Sequence, residues 1–186
     1  MKPLLRLSAV IDRLNENVGR LVSWLVVLMV LIASYNAIVR YLGRYIGRNF
    51  SSNAYLESQW YLFSVIFLLG AAWALKEDAH VRVDVFYGRV SERVRAWINL
   101  LGGLLLTLPF CLFVLWASLP SVQNSWRIRE GSPDPGGLPR YPLKAMILVG
   151  FVLLLLQGIS EVIKTARVLR RAPDAHVPAE HRPEGV

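Results

Sequence analysis

The sequence predicts an all-α integral membrane protein: four spanning helices preceded by an N-terminal amphipathic helix, with both termini in the cytoplasm. Three observations predict it. Of the 186 residues, 54% are apolar and only 18% are charged. The apolar residues gather into four long blocks, whereas a soluble domain of this length needs a charged surface around one core. The 21 Lys and Arg residues are shared unequally between the segments that join the blocks, and in a membrane protein such a bias reports orientation.

The elements follow in order. Residues 3–20 carry Leu4, Leu7, Val10, Ile11, Leu14 and Val18 at helical spacing, with Arg6, Asp12, Arg13 and Arg20 between them. This is an amphipathic helix that either lies on the cytoplasmic leaflet or extends the first span into water. The first span covers about 21–41, with no charge between Arg20 and Arg40. No small-residue cleavage site follows a short core, so it reads as an uncleaved span and not a signal peptide. A polar connection over 43–59 follows, in which Ser52 or Asn53 caps a helix starting near Ala54. The second span covers about 59–75. Its Gly70, Ala71 and Ala74 form a patch of small residues that lets two helix backbones approach, within the chain or between chains.

Residues 76–95 are densely charged. Val81, Val83 and Val85 alternate with polar residues there, and helical periodicity resumes at Ser91. The third span covers about 97–119, where Pro109 should kink the helix or loosen one backbone hydrogen bond. Residues 120–142 read as a long connection, because Pro and Gly argue against regular helix over Gly131–Pro139. The fourth span covers about 143–163. Residues 1–171 thus make one membrane domain, and the tail 172–186, rich in Pro and charge, reads as disordered.

Orientation follows from the basic residues. Four precede the first span (Lys2, Arg6, Arg13, Arg20), five lie in the second connection (Lys76, Arg82, Arg89, Arg93, Arg95) and five follow the fourth span (Lys164, Arg167, Arg170, Arg171, Arg182). Only seven occupy the other side: Arg40, Arg44, Arg48, Arg127, Arg129, Arg140 and Lys144. The positive-inside rule therefore places both termini in the cytoplasm.

Composition also narrows function. The net charge of +8 reports topology, since no basic run is interleaved with aromatics as a nucleic-acid site requires; the expected surroundings are a lipid bilayer. The span interiors hold only mild polar groups, among them Asn36, Ser64, Thr107, Gln157 and Ser160, which suit helix packing better than an ion path. His80, His176 and His181 fall outside the spans, which disfavours a haem anchor, and the single Cys111 excludes thiol redox chemistry. Asp78, His80 and Asp84 read as a solvated loop, not a metal site. No cofactor is expected. The physical reading is a scaffold subunit. A self-sufficient homo-oligomeric carrier or channel and a membrane anchor of another complex are the alternatives.

Several segments carry a resemblance. They are Asn36-Ala-Ile-Val-Arg40-Tyr41, Asn53-Ala-Tyr-Leu-Glu57-Ser-Gln-Trp60, Leu69-Gly70-Ala71-Ala72 and His80-Val-Arg82-Val-Asp84. In order and spacing, over about residues 15–165, they resemble the small membrane subunit of tripartite ATP-independent periplasmic (TRAP) transporters. The stretch from Gly136-Gly-Leu-Pro139 to Gln157-Gly-Ile-Ser-Glu161 is similar to one subgroup of that family. Met146-Ile-Leu148 stands before Gly150 where many relatives carry a proline. The resemblance implies a large sodium-coupled permease subunit and a periplasmic solute-binding protein as partners, a substrate that is often a carboxylate, and residence in the bacterial inner membrane. It also implies residue roles. Arg40, Tyr41 and Glu57 would fix the first connection or meet a partner, and His80, Arg82 and Asp84 would order the cytoplasmic connection. Gly70, Ala71 and Ala74 would permit close packing against the large subunit.

Overall fold

A computed structural model describes residues 2–47, 52–79 and 90–171. The helices are α1 (Lys2–Ile46), α2 (Asn53–Lys76), α3 (Glu92–Gly102), a π-helical turn (Gly103–Thr107), α4 (Leu108–Ile128) and α5 (Tyr141–Arg171). Since α3, the π turn and α4 run on without a break, the described residues make four passes, each long and apolar enough to cross a bilayer. It is a multi-pass membrane protein, and among the described residues every regular element is helical.

Local chemistry sets the ends of these helices. Gly47, at φ +73°, closes α1 in the left-handed conformation that glycine adopts without strain. Ser52 caps α2 by accepting a hydrogen bond from the Ala54 amide. Ser91 caps α3 through the Val94 amide, and Glu92 follows in the first turn, where a carboxylate meets the positive end of the helix dipole. The amphipathic segment and the first span form one helix of 45 residues, about 68 Å long. Of the two readings of residues 3–20, the extension of the first span is the one realised.

Two expectations about the third pass change. Pro109 has no amide hydrogen to donate, and the helix accommodates this by widening one turn earlier. The Leu108 amide reaches back five residues to the Gly103 carbonyl. The predicted kink thus takes the form of a π turn, a common way to relieve a proline within a helix. The connection expected over 120–142 is shorter: α4 continues through Pro120 to Ile128, leaving only 129–140 between helices. Pro120 gives up one backbone hydrogen bond, while the continuing helix buries Val122 and Ser125.

Helix α5 is the hub. It packs against α1, α2, α3 and α4, whereas α1 and α2 pack on each other and on α5. Glycines set the closest approaches. A Cβ on Gly150 would lie 2.8 Å from the Leu68 backbone oxygen, so α2 and α5 touch backbone to backbone there. A Cβ on Gly19 would lie 2.5 Å from the Trp73 ring, which lies over α1 at that point.

Candidate functional site

The polar side chains of the bundle collect at its two ends. One end holds the junction of α2 with the 129–140 loop, called here the loop end. The other holds the start of α1 and the end of α5, the terminal end.

At the loop end, α2 builds a receptor for the loop. Glu57 lies one turn into the helix and is only 3% exposed despite its charge. Its carboxylate accepts hydrogen bonds from the Ser132 hydroxyl and the Leu138 amide. Asn53 donates to the Pro135 carbonyl at 3.0 Å, and the Tyr61 hydroxyl donates to the Pro139 carbonyl at 2.7 Å. The Arg140 guanidinium stands 5.8 Å from the centre of the Trp60 ring, a cation–π distance. Behind the loop, Lys144 pairs with Glu130, and the Arg140 amide donates to the Glu130 carbonyl at 2.8 Å. Gly136 turns the chain at φ +72°. Gly137 leaves room for the carboxylate: a Cβ there would lie 2.5 Å from Ser132 and 2.7 Å from a Glu57 oxygen.

The Ser132 hydroxyl, followed by the Leu138 amide, holds the Glu57 carboxyl below its usual range; burial opposes this and Arg140 reinforces it. A carboxyl lowered in the folded state contributes stability above its unfolded value, lost as pH falls through the folded one. Protease resistance of the 129–140 loop in detergent should therefore hold from about pH 7 to about pH 5 and fall below about pH 4. In Glu57→Gln the resistance should be lower throughout and flat across that range. A wild-type loop equally protected at pH 3 would show that the carboxylate does not hold it.

At the terminal end, a polar clasp joins α1 to α5. Asp12 accepts from Gln157 at 2.9 Å, from the Ser160 hydroxyl at 2.7 Å and from Lys164 at 3.3 Å. Gln157 also donates to Glu161 at 2.9 Å and accepts from Asn15 at 2.7 Å, and Ser8 meets Ser160 at 2.7 Å. Asn15, Gln157 and Ser160 are fully buried. Burial raises the Asp12 carboxyl, but the donors from Gln157, Ser160 and Lys164 together outweigh it and leave it below the usual value. One turn further along α1, Glu16 pairs with Lys76 at the end of α2 at 3.2 Å.

The site residues expected from sequence separate in space. Arg40 and Tyr41 are exposed near the end of α1, where they line an open cavity of about 360 Å³ with Ala37 and Arg44. Among the described residues, Glu57 binds the 129–140 loop. Gly70 faces α1, with Val22 at 3.7 Å from its Cβ position, while Ala71 and Ala74 are half-buried. The tight contacts belong to Gly19 and Gly150, which sequence reasoning did not single out. His80, Arg82 and Asp84 lie outside the described residues, as do Val81, Val83, Val85 and the tail 172–186. Gln157 and Ser160 serve as packing groups, as expected, but their partner Asp12 was not anticipated. Its one signal was an acidic residue beside the apolar stripe of residues 3–20.

These clusters hold helices and a loop in place. A family model described as "Tripartite ATP-independent periplasmic transporters, DctQ component" matches residues 29–168. No curated protein and no solved structure matches the chain.

Proposed function

The chain belongs to the DctQ component family of tripartite ATP-independent periplasmic transporters, and from that premise we propose that it braces a large, sodium-coupled permease subunit in the bacterial inner membrane. It is a small membrane subunit of a transporter and not an enzyme. In this reading the solute is a small carboxylate brought by a periplasmic binding protein. The terminal end faces the cytoplasm, and the loop end, with exposed Arg40, Arg44, Arg127 and Arg129, faces the periplasm and the binding protein.

One observation carries the reading. The middle of every pass is free of charge, while Asp12, Glu16, Lys76, Glu161 and Lys164 gather at one end and Glu57, Glu130, Arg140 and Lys144 at the other. A carrier needs ionisable or liganding groups at mid-membrane depth, so the transport sites belong on another subunit. The test is a mild-detergent pull-down of the tagged chain from its native membrane. A stoichiometric large polytopic protein is the expected companion. A lone homo-oligomer, in several detergents at native expression, would overturn the proposal.

A further inference from the structure

Helix α1 presents two apolar seams, and the bundle packs mainly on one; it touches the second at Tyr35, whose ring meets Tyr55 edge-on at 5.5 Å. The first, marked by the buried Ser8, Ile11, Asn15 and Val22, faces α2 and α5. The second runs about 100° around the helix from it. Leucine or tyrosine stands at every seventh position from Leu7 to Leu42. A parallel series three residues on, from Val10 to Tyr45, is apolar except for Asn17. Together they form a heptad pattern over almost the whole helix, interrupted at Asn17, and all of its positions are exposed. A repeat of 3.5 residues sustained this far matches a second helix winding left-handed around the first.

The seam also leaves the membrane. Helix α2 ends at Lys76, whose ammonium meets Glu16. From Glu16 to Leu7 is nine residues of helix, about 13 Å further out. Leu7 is 49% and Val10 65% exposed there. The helix cannot fold back onto the leaflet to cover them, because the Asp12–Gln157–Ser160 clasp fixes it to α5.

The flank of the seam identifies what covers it. Arg6 and Arg13 stand seven residues apart along one edge, both exposed, while Arg20, next in the series, pairs with Glu16 of its own helix at 2.6 Å. In a parallel pair these positions face the edge of the opposite helix, where pairing charges are selected. A second copy of this chain would present Ile11, Val18 and Leu25 there, with no carboxylate for the arginines. An antiparallel copy would have to cross the membrane the other way up. We propose that this seam is the docking rail for one long helix of the large membrane subunit, a helix that is apolar through the bilayer and carries carboxylates at heptad spacing beyond its cytoplasmic face. Asn17, the polar position in the seam, sets the register between the two. The proposal rests on the transporter reading above, which supplies the large subunit.

The experiment is site-specific photocrosslinking of the full, tagged chain in its native membrane. A benzophenone amino acid replaces Val10 or Trp24 on the seam, or Val26 on the far side of α1. Seam positions should crosslink to one large polytopic protein, identified by mass spectrometry, and the far-side position should not. Arg6→Glu with Arg13→Glu should reduce co-purification of that protein about tenfold, while Arg6→Lys with Arg13→Lys, which keeps the charge, should leave it unchanged. Seam crosslinks only to lipid or to a second copy, with the large protein still co-purifying, would overturn the docking rail and leave the transporter reading intact. Failure of the unmodified chain to co-purify any large membrane protein would overturn both.

Discussion

Gln157→Leu is expected to lower the thermal unfolding midpoint of the purified protein in detergent by about 6–12 °C, corresponding to about 3 kcal/mol in a chain of this size. The side chain is fully buried and bonded on both sides: it accepts from Asn15 and donates to Asp12 and to Glu161. Leucine fills a similar volume, so the loss is polar and not steric. The Asn15 amide would lose its acceptor, and its oxygen already lacks a partner within the protein. Asp12 and Glu161 would each lose a donor and keep Lys164 between them. Leaving a buried group unpaired costs more than removing both partners. Adding Asn15→Leu to Gln157→Leu should therefore cost less than the sum of the two single changes, a coupling that a double-mutant cycle in thermal or denaturant unfolding measures. Additive effects would mean that the clasp does not act as a unit.

Gly150→Leu should be at least as damaging, for a different reason. The Leu68 carbonyl oxygen and carbon lie 2.8 and 3.1 Å from where a Cβ on Gly150 would be. Backbone atoms cannot rotate away as a side-chain tip can, so α2 and α5 must separate. Even Gly150→Ala should cost about 1–3 kcal/mol, and leucine more. Helix α2 then keeps only its contact with α1, and the Glu57 receptor moves away from the loop it holds. The result to look for is a lower yield of folded protein and faster proteolysis within 129–140. Gly102→Ala provides the contrast. Nothing lies near that Cβ position, so gained helix propensity should make it neutral or stabilising by up to about 1 kcal/mol. Equal behaviour of the two alanine variants would refute the close α2–α5 contact.

The four passes, the cap at Ser52, the helical start at Ser91 and the disturbance at Pro109 were legible in the sequence because each depends on residues within a turn or two. Bilayer length and hydropathy decide the passes, and local hydrogen-bond chemistry decides the caps. Helix pairing is a different matter. The Gly70 patch and Gly150 look alike along the chain; which one meets a backbone depends on how α5 crosses α2, and no local period encodes that. Glu57 was singled out as an acid near an interface. Its partners Ser132 and Leu138 lie 75 and 81 residues away, and the gap between them is left by Gly137. Asp12 is a stronger case, being joined to Lys164 across 152 residues. Residues 120–128 read as connection but are helix: Pro120 costs α4 one hydrogen bond, and the apolar burial of Val122 further along favours continuing it.

The hub position of α5 has a consequence for how the protein is made. A membrane chain is released from the ribosome in order, and α1 and α2 can pair as soon as both are inserted. The α3–α4 pass then waits with its inner face in lipid, since α5 is the helix it packs on. The same is true of the Glu57 carboxylate and of Asp12 and Asn15, which stay unpaired until the 129–140 loop and α5 arrive. Assembly is thus closed by the last pass and not built up pass by pass. Until α5 is in place the nascent protein displays unpaired polar groups at both ends.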